Sequence, residues 1–279
     1  MRTALIPPIT HLHEYGHGSF HLLLAHLLKK PTYKKHYRGQ RKLGAYLVLD
    51  NSAHEMGKGQ DPDSLIKLGF ELDAQEIVVP DVLDNAEATV EACLEAHESW
   101  FESSGMVEIM KVYDPAFMYV PQGKTEEDWI ECLDSLFRIH YFCSRKYSLR
   151  RDMVLGISKD YDGWDGGLPK LLREYVTPRR DELITAGGRI HVHMLGWPRD
   201  LLTLQKVAEE FPWIRSTDSA KPFVYALQDL DLLINPRHKY PGRDKNYFTQ
   251  TLSPEQKLYA DHNIGVFESC ARGEFKVKV

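Results

Sequence analysis

Six short apolar runs, each with a polar residue or a glycine at its end, constrain the fold of this chain more than any other feature. The runs are AYLVLD, EIVVPD, AFMYVPQG, DMVLGIS, IHVHMLG and WIRSTDS. The residues that mark their ends are Asp50, Asp81, Gln122, Gly156, Gly196 and Asp218. A segment with helical character follows each run, so the repeated unit is strand, loop and helix. We therefore predict an α/β fold, a (β/α)8 TIM-type barrel.

The length of the chain agrees with this fold. A barrel of this type needs about 250 residues, and the chain has 279. Residues 3–7 predict a weak first strand, whereas an eighth strand is not evident. We expect a single domain, with the barrel over residues 1–230 and a C-terminal extension with a helix packed on it over 231–279. Helices are predicted from near Ser19, at 63–70, 85–103, 125–143 and 198–210, and from near Ser253.

Charge is distributed unevenly along the chain, although the net charge is −5. Residues 29–42 carry seven Lys or Arg and no acid, and 144–151 add four more. Each run alone is as consistent with a solvated loop as with a binding surface. Two basic runs with interleaved tyrosines on an acidic protein favour contact with phosphates, with 29–42 as an exposed loop. The predicted phosphate-contacting residues are Lys34, Lys35, Arg38, Arg41, Arg145, Lys146, Arg150, Arg237 and Lys239.

Cysteine spacing and hydropathy indicate a cytoplasmic protein. Four widely spaced cysteines form no CxxC pair, which is typical of reduced thiols. No apolar run approaches the roughly 20 residues of a membrane span, so we expect no membrane partner. Neither GxGxxG nor GxxxxGK[ST] occurs, and we expect no cofactor.

Three strand-end aspartates and a glutamine are the candidates for chemistry. For any one aspartate the ordinary alternative is a helix N-cap. Three of them together suit a reaction at an anomeric carbon, in which one carboxylate attacks C1′ of a sugar and another moves a proton. Asp and Gln side chains can also bind the hydrogen-bonding edge of a purine-like base, and a glycine lets a flat ring approach the backbone.

Several of these segments, taken in order, resemble the tRNA-guanine transglycosylase family. LVLDNSAHEMG, EIVVPDVLDNAEA, MYVPQG, LGIS, IHVHMLGWPRDL and IRSTDSAKPF are similar to its strand ends, and DHNIGVFESCARGEF is similar to its terminal helix. The resemblance covers about residues 45–275. It implies an α/β barrel pentosyltransferase that exchanges guanine in a polynucleotide for a 7-deazaguanine derivative.

The resemblance also implies roles for individual residues. Asp218 would be the nucleophile that forms a covalent glycosyl-enzyme, and Asp50 would be the acid/base that takes the ring proton of the incoming base. Base binding would fall to Asp81, Gln122, Gly156 and Gly196. The target nucleotide would be flipped out of its stack.

Departures from the family pattern bear on the substrate. The tRNA enzymes hold a structural zinc with three cysteines and a histidine. His262 matches that histidine, but residues 230–261 contain no cysteine, so we predict no metal and no zinc-binding subdomain. The pattern is closer to phage-type enzymes that modify DNA, acting in a host cytoplasm. DNA is favoured over tRNA, a tRNA-guanine transglycosylase is the alternative, and a homodimer is possible.

Two HxH pairs leave other interpretations open. His11 with His13, and His191 with His193, match a metal-ligand pattern of barrel hydrolases. Packing or hydrogen bonding is the commoner role for such histidines, and His11 and His13 could instead contact nucleic acid. A third interpretation is a catalytically inactive partner subunit, which the presence of both Asp50 and Asp218 disfavours.

Overall fold

Eight parallel strands in one sheet define the fold of this computed structural model, which describes residues 1–147, 152–185, 187–196, 200–233 and 243–274. The strands run in the order β1-β8-β7-β6-β5-β4-β3-β2, so the first and last strands are neighbours. Their bounds are β1 Arg2–Leu5, β2 Phe20–Leu24, β3 Tyr46–Asp50, β4 Glu76–Val78, β5 Ala116–Tyr119, β6 Met153–Ser158, β7 Ile190–Leu195 and β8 Ser216–Ser219. This is an α/β fold of the (β/α)8 TIM-barrel class, as predicted.

Helices alternate with the strands. They are α1 Leu12–Tyr15, α2 Pro31–Lys42, α3 Ala53–Met56, α4 Pro62–Leu72, α5 Ala86–Glu102, α6 Ser104–Met110, α7 Glu126–Lys146, α8 Gly167–Leu171, α9 Thr177–Thr185, α10 Leu201–Glu210, α11 Lys221–Ala226 and α12 Pro254–Ala271. Within the described ranges, none of them combines the length and apolarity that a bilayer crossing requires.

The segment around Ser19 corrects one prediction and supplies the missing eighth strand. We expected a helix from near Ser19, but Phe20–Leu24 is a strand, β2, in which every residue is buried. A short, continuous apolar run has no periodicity that separates a buried strand from a buried helix. His21 within the run, with His17 and His26 beside it, also interrupts the apolar pattern that would indicate a buried strand.

The basic segment 29–42 corrects a second prediction. Most of it is a helix, α2, rather than an exposed loop, with Pro31 in the first turn. Tyr33, Tyr37 and Gln40 are buried, and their spacing places them on one helical face. The density of lysine and arginine concealed this stripe, because the charged residues occupy only the remaining faces.

The starts of helices α7 and α12 agree with the sequence-based prediction. At the start of α7 the Thr125 hydroxyl accepts from the Asp128 N–H and the Asp128 carboxylate accepts from the Thr125 N–H, a capping box. Ser253 and Gln256 form the same arrangement at the start of α12. The helix predicted from Pro198 begins instead at Leu201, where the Asp200 carboxylate accepts from the Thr203 N–H at 2.8 Å. Pro198 itself lies outside the described residues.

Two compact units make up the chain. The terminal unit comprises Met1–His21, Ser158–Thr177 and Val192–Val279, and the central unit comprises Leu22–Ile157 and Pro178–His191. In the terminal unit, α10, α11 and α12 share an apolar cluster that includes Leu204, Tyr225 and Phe267. The predicted division into 1–230 and 231–279 stays a prediction.

Candidate functional site

A buried carboxylate network lies at the strand ends of the central unit. Asp81, shortly after β4, accepts from the Asn51 Nδ2 on Oδ1 and from the Gln122 Nε2 on Oδ2, both at 2.6 Å. All three side chains are buried. Asn51 directly follows β3, and Gln122 follows β5. The ends of three strands therefore hold one carboxyl group in a fixed orientation.

Burial gives Asp81 an unusual affinity for a proton. It raises the pKa of this carboxyl to about 6, because the surroundings disfavour the charged form. The bonds from Asn51 and Gln122 favour the carboxylate and offset only part of that effect. Asp81 can therefore bind or release a proton within about a pH unit of neutrality.

The amide of Gln122 is oriented from both ends. Its Nε2 donates to Asp81, and its Oε1 accepts from the Asp84 backbone N–H at 3.4 Å. Asp84 has a positive φ of 55°. The next residue, Gly123, lies so close to α7 that a Cβ would come within 2.4 Å of the Trp129 backbone nitrogen. Gln122 is explained by its amide, which donates to Asp81. Gly123 is explained by the close approach of its backbone to α7, which leaves no room for a Cβ.

Asp50 ends β3 and is oriented by a local turn. Its Oδ2 accepts from the Ser52 N–H at 2.9 Å, and Ser52 adopts a left-handed conformation with φ of 63°. Helix α3 begins only at Ala53, and its N-cap residue is Ser52. Asp50 is half-buried. The turn therefore fixes the orientation of a partly accessible carboxylate.

The terminal unit holds a third carboxylate, Asp218, in β8. Its Oδ1 accepts from the Gly196 backbone N–H at 2.8 Å and lies 3.1 Å from the His193 Nε2. Gly196 has a φ of +70°, and a Cβ there would lie 2.9 Å from the Lys159 side chain. The positive φ therefore favours glycine at 196, whereas the flexible Lys159 side chain could move to admit a Cβ. Gly196 contacts Asp218 directly, whereas its predicted role in binding a base stays a prediction.

A buried lysine near Asp218 in sequence was missed. Lys221, three residues further along in DSAKPF, is 3% exposed. Burial lowers the pKa of its ammonium group to about 7, while the charges of Asp200 and Asp162 favour the protonated form. A lysine followed by proline at the start of α11 resembles an ordinary surface residue in sequence. Asn51 was also missed, although its place directly after Asp50 could have indicated it.

The three predicted strand-end aspartates are not helix N-caps. Asp81 binds two side-chain amides, Asp218 binds Gly196 and His193, and Asp50 binds the turn at Ser52. The structure brings Asp81 together with Gln122, and Asp218 together with Gly196. Gly156 is buried in β6, and its contact with a base stays a prediction.

Four of the six predicted phosphate-contacting residues that the structure describes have acidic partners. Glu71 lies 2.5 Å from both Lys34 and Arg38. Arg41 pairs with Asp73 at 2.7 Å. Lys35 is exposed. On α7, Lys146 pairs with Glu102 at 2.5 Å, and Arg145 lies over the Tyr141 ring. The remaining three, Arg150, Arg237 and Lys239, lie outside the described residues. The basic run on α2 is therefore less positive than its sequence indicates.

The HxH pairs are occupied by protein contacts. The His11 Nδ1 lies 3.3 Å from Glu14 Oε2, and its Nε2 accepts from the Leu252 N–H at 2.8 Å. Both His193 ring nitrogens also have partners. His13 is exposed, with its Nε2 3.3 Å from the Glu14 Oε1, and the His191 Nε2 lies 3.8 Å from the Asp152 Oδ2. Among the described residues, no group of three or more His, Cys, Asp or Glu side chains could hold a metal ion. The hydrogen-bonding interpretation of His193 is confirmed.

Comparison with known proteins adds no family to this description. No protein-family model matches the chain, and no curated protein matches it.

Proposed function

We propose that the chain is a base-exchange transglycosylase that replaces guanine in a polynucleotide, preferentially DNA, with a 7-deazaguanine derivative. One observation carries the proposal: Asp218 of β8 is a buried carboxylate whose Oδ1 binds two donors, Gly196 and His193. A carboxylate held by one oxygen can use the other as a nucleophile. The resemblance of the strand ends to the tRNA-guanine transglycosylases supports the choice of a nucleoside as the group attacked.

The proposed reaction is a double displacement at C1′. Asp218 attacks C1′, the bond from C1′ to N9 breaks, and guanine leaves with the bonding electrons and a proton from Asp50. The 7-deazaguanine base then gives its N9 proton to Asp50 and attacks C1′, which releases the Asp218 carboxylate. Two inversions return the original configuration, and no oxidant or nucleotide cosubstrate is consumed.

Asp81 would bind the base. Each Asp81 oxygen uses one lone pair for an amide, so each retains acceptor capacity for a ligand. With a pKa of about 6, a protonated fraction of Asp81 could also donate to an acceptor on the ring. Donors and acceptors combined in one rigid group suit the amide edge of a guanine-like base.

Base exchange with labelled substrates tests the proposal. The full chain is incubated with duplex DNA or tRNA that carries radiolabelled guanine, together with 7-cyano-7-deazaguanine, and release of label is followed. Release from DNA is the expected result. Release from tRNA alone would keep the reaction and overturn the choice of DNA. Absence of release from both polymers, despite binding, would reject the transglycosylase and favour an inactive partner subunit.

A further inference from the structure

A chain of hydrogen bonds leads from Arg215 to the candidate nucleophile. The Arg215 Nε donates to the Ser216 Oγ at 3.2 Å, Ser216 Oγ lies 2.8 Å from the His193 Nδ1, and the His193 Nε2 lies 3.1 Å from the Asp218 Oδ1. The strand register places His193 of β7 opposite Ser216 of β8. All four residues belong to the terminal unit. Adjacent strands therefore connect an arginine to a carboxylate through a serine and a histidine.

For a neutral imidazole, the chemistry of the end groups fixes the direction of these bonds. A carboxylate only accepts, so the His193 Nε2 must carry the hydrogen that faces Asp218. The Nδ1 of a neutral imidazole is then an acceptor, and the Ser216 hydroxyl donates to it. Arg215 can only donate, so the Ser216 Oγ accepts a hydrogen bond from it while the Ser216 hydroxyl hydrogen points to His193.

Packing prevents the imidazole from turning. His193 and Ser216 have no exposed surface. The Phe20 ring lies against His193 with centroids 5.9 Å apart, and the Arg215 guanidinium lies 5.7 Å from the same ring. A core histidine that served packing alone would not need a hydrogen-bond partner on each nitrogen and a carboxylate at one end.

We propose that Arg215, Ser216 and His193 form a positioning relay that holds Oδ1 of Asp218 and presents Oδ2 to the sugar carbon. This inference rests on the proposed function and adds positioning residues to it. The relay stabilises the free carboxylate more than the glycosyl ester, because charge on Oδ1 falls when Oδ2 forms the bond to C1′. It therefore promotes release of the nucleotide from Asp218 in the second displacement.

Trapping the covalent adduct in the full-length chain tests this role. With substrate polynucleotide and no second base, His193→Phe should raise the ratio of adduct to free enzyme about tenfold, since a donor to a charged group is removed. His193→Gln, which restores an N–H donor, should return the ratio towards that of the native chain. His191→Phe on the same strand is the matched control and should leave the ratio unchanged. An unchanged or lower ratio in a folded His193→Phe protein contradicts the relay.

The histidine tautomer gives a second measurement that requires no substrate. In ¹⁵N-histidine NMR spectra of the native chain, the relay predicts that His193 carries its proton on Nε2 near neutral pH. Ser216→Ala should shift the Nδ1 resonance and leave the Nε2 proton in place. A proton found on Nδ1 would overturn the relay even if base exchange occurs. Failure of base exchange together with an Nε2 proton would instead reject the proposed function and keep the bond to Asp218.

Discussion

Two aspartates at strand ends, Asp81 in the central unit and Asp218 in the terminal unit, have opposite surroundings. Both oxygens of Asp81 accept from side-chain amides, and burial raises its pKa to about 6. The described hydrogen bonds of Asp218 both end on Oδ1. The same residue type therefore lies in two different environments, and paired carboxyl groups of enzymes can differ in this way.

Under the proposed function, this difference would separate a carboxyl group that binds the base from one that reacts. A group with both oxygens bonded and a raised pKa is rigid and a poor nucleophile, so it suits recognition of a ligand. A group that is bonded on one oxygen keeps an orientation from which the other can attack. The comparison therefore predicts that a substitution at Asp218 abolishes base exchange, whereas one at Asp81 mainly weakens binding of the base.

The largest effect is expected at Asp218. Asp218→Asn replaces the attacking carboxylate with a neutral amide, and base exchange should fall by about 10⁴-fold or more. Label release from guanine-containing DNA measures it. Asp229→Asn, at an exposed position of the same unit, is the matched control and should exchange at the native rate. Exchange by Asp218→Asn at the native rate would remove Asp218 from the chemistry.

A smaller and different effect is expected at Asp81. Asp81→Asn places an amide where two amides already donate, so one bond must be lost and the base contact weakened. We expect kcat/KM for the incoming base to fall about 100-fold, since each buried bond lost costs about 1–3 kcal/mol. Initial rates at varied base concentration should show this fall mainly as a raised KM. An unchanged KM with a lower kcat would mean that Asp81 takes part in the chemical step instead.

Stability should report the raised pKa of Asp81. Below its ordinary value of 3.8 the carboxyl is neutral in the folded and unfolded states. Between about pH 4 and pH 6 only the unfolded state ionises, so the free energy of unfolding should decrease as pH rises, by at most about 3 kcal/mol. Urea denaturation from pH 3.5 to 7 measures this slope.

Asp81→Asn supplies the control for that slope, because it removes the titrating group. The difference in unfolding free energy between the two proteins should change with pH only across this window. A pH-independent difference would show that Asp81 has the same pKa in both states.

The smallest effect concerns the basic face of α2. Glu71→Gln frees Lys34 and Arg38 from their shared partner, so affinity for duplex DNA should rise and depend more steeply on salt. Lys35→Ala should lower the salt slope by about 1. Fluorescence anisotropy from 50 to 200 mM salt measures both variants. Identical slopes for the native chain and both variants would exclude this face from phosphate binding.

Much of the fold could be predicted because buried parallel strands have a clear sequence pattern. The run that ends at Asp50 is apolar, closes with a polar residue and is a strand, β3. The run around Asp218 also contains a strand, β8, although the residues of β8 are themselves polar. β2 could not be recognised in this way, because FHLLL lacks a polar end and lies among histidines. Helix α2 was missed because lysines and arginines obscured the stripe of Tyr33 and Tyr37.

The candidate site was predictable only in part. Asp81 with Gln122, and Asp218 with Gly196, could be named from strand ends. The partners that set their chemistry could not, because Asn51 and His193 act through contacts with neighbouring strands that sequence spacing does not reveal. The pairing of Lys34 with Glu71 likewise joins α2 to α4, which are distant in sequence.

Identifying the residue that carries a covalent sugar tests the central claim most directly. The full chain is incubated with guanine-containing duplex DNA, denatured, and digested with nuclease and protease for mass spectrometry. The account predicts a deoxyribosyl adduct on the peptide that contains Asp218, its disappearance on addition of 7-cyano-7-deazaguanine, and its absence from Asp218→Asn. An adduct on a different residue, or base exchange without an adduct in the native chain, would contradict it.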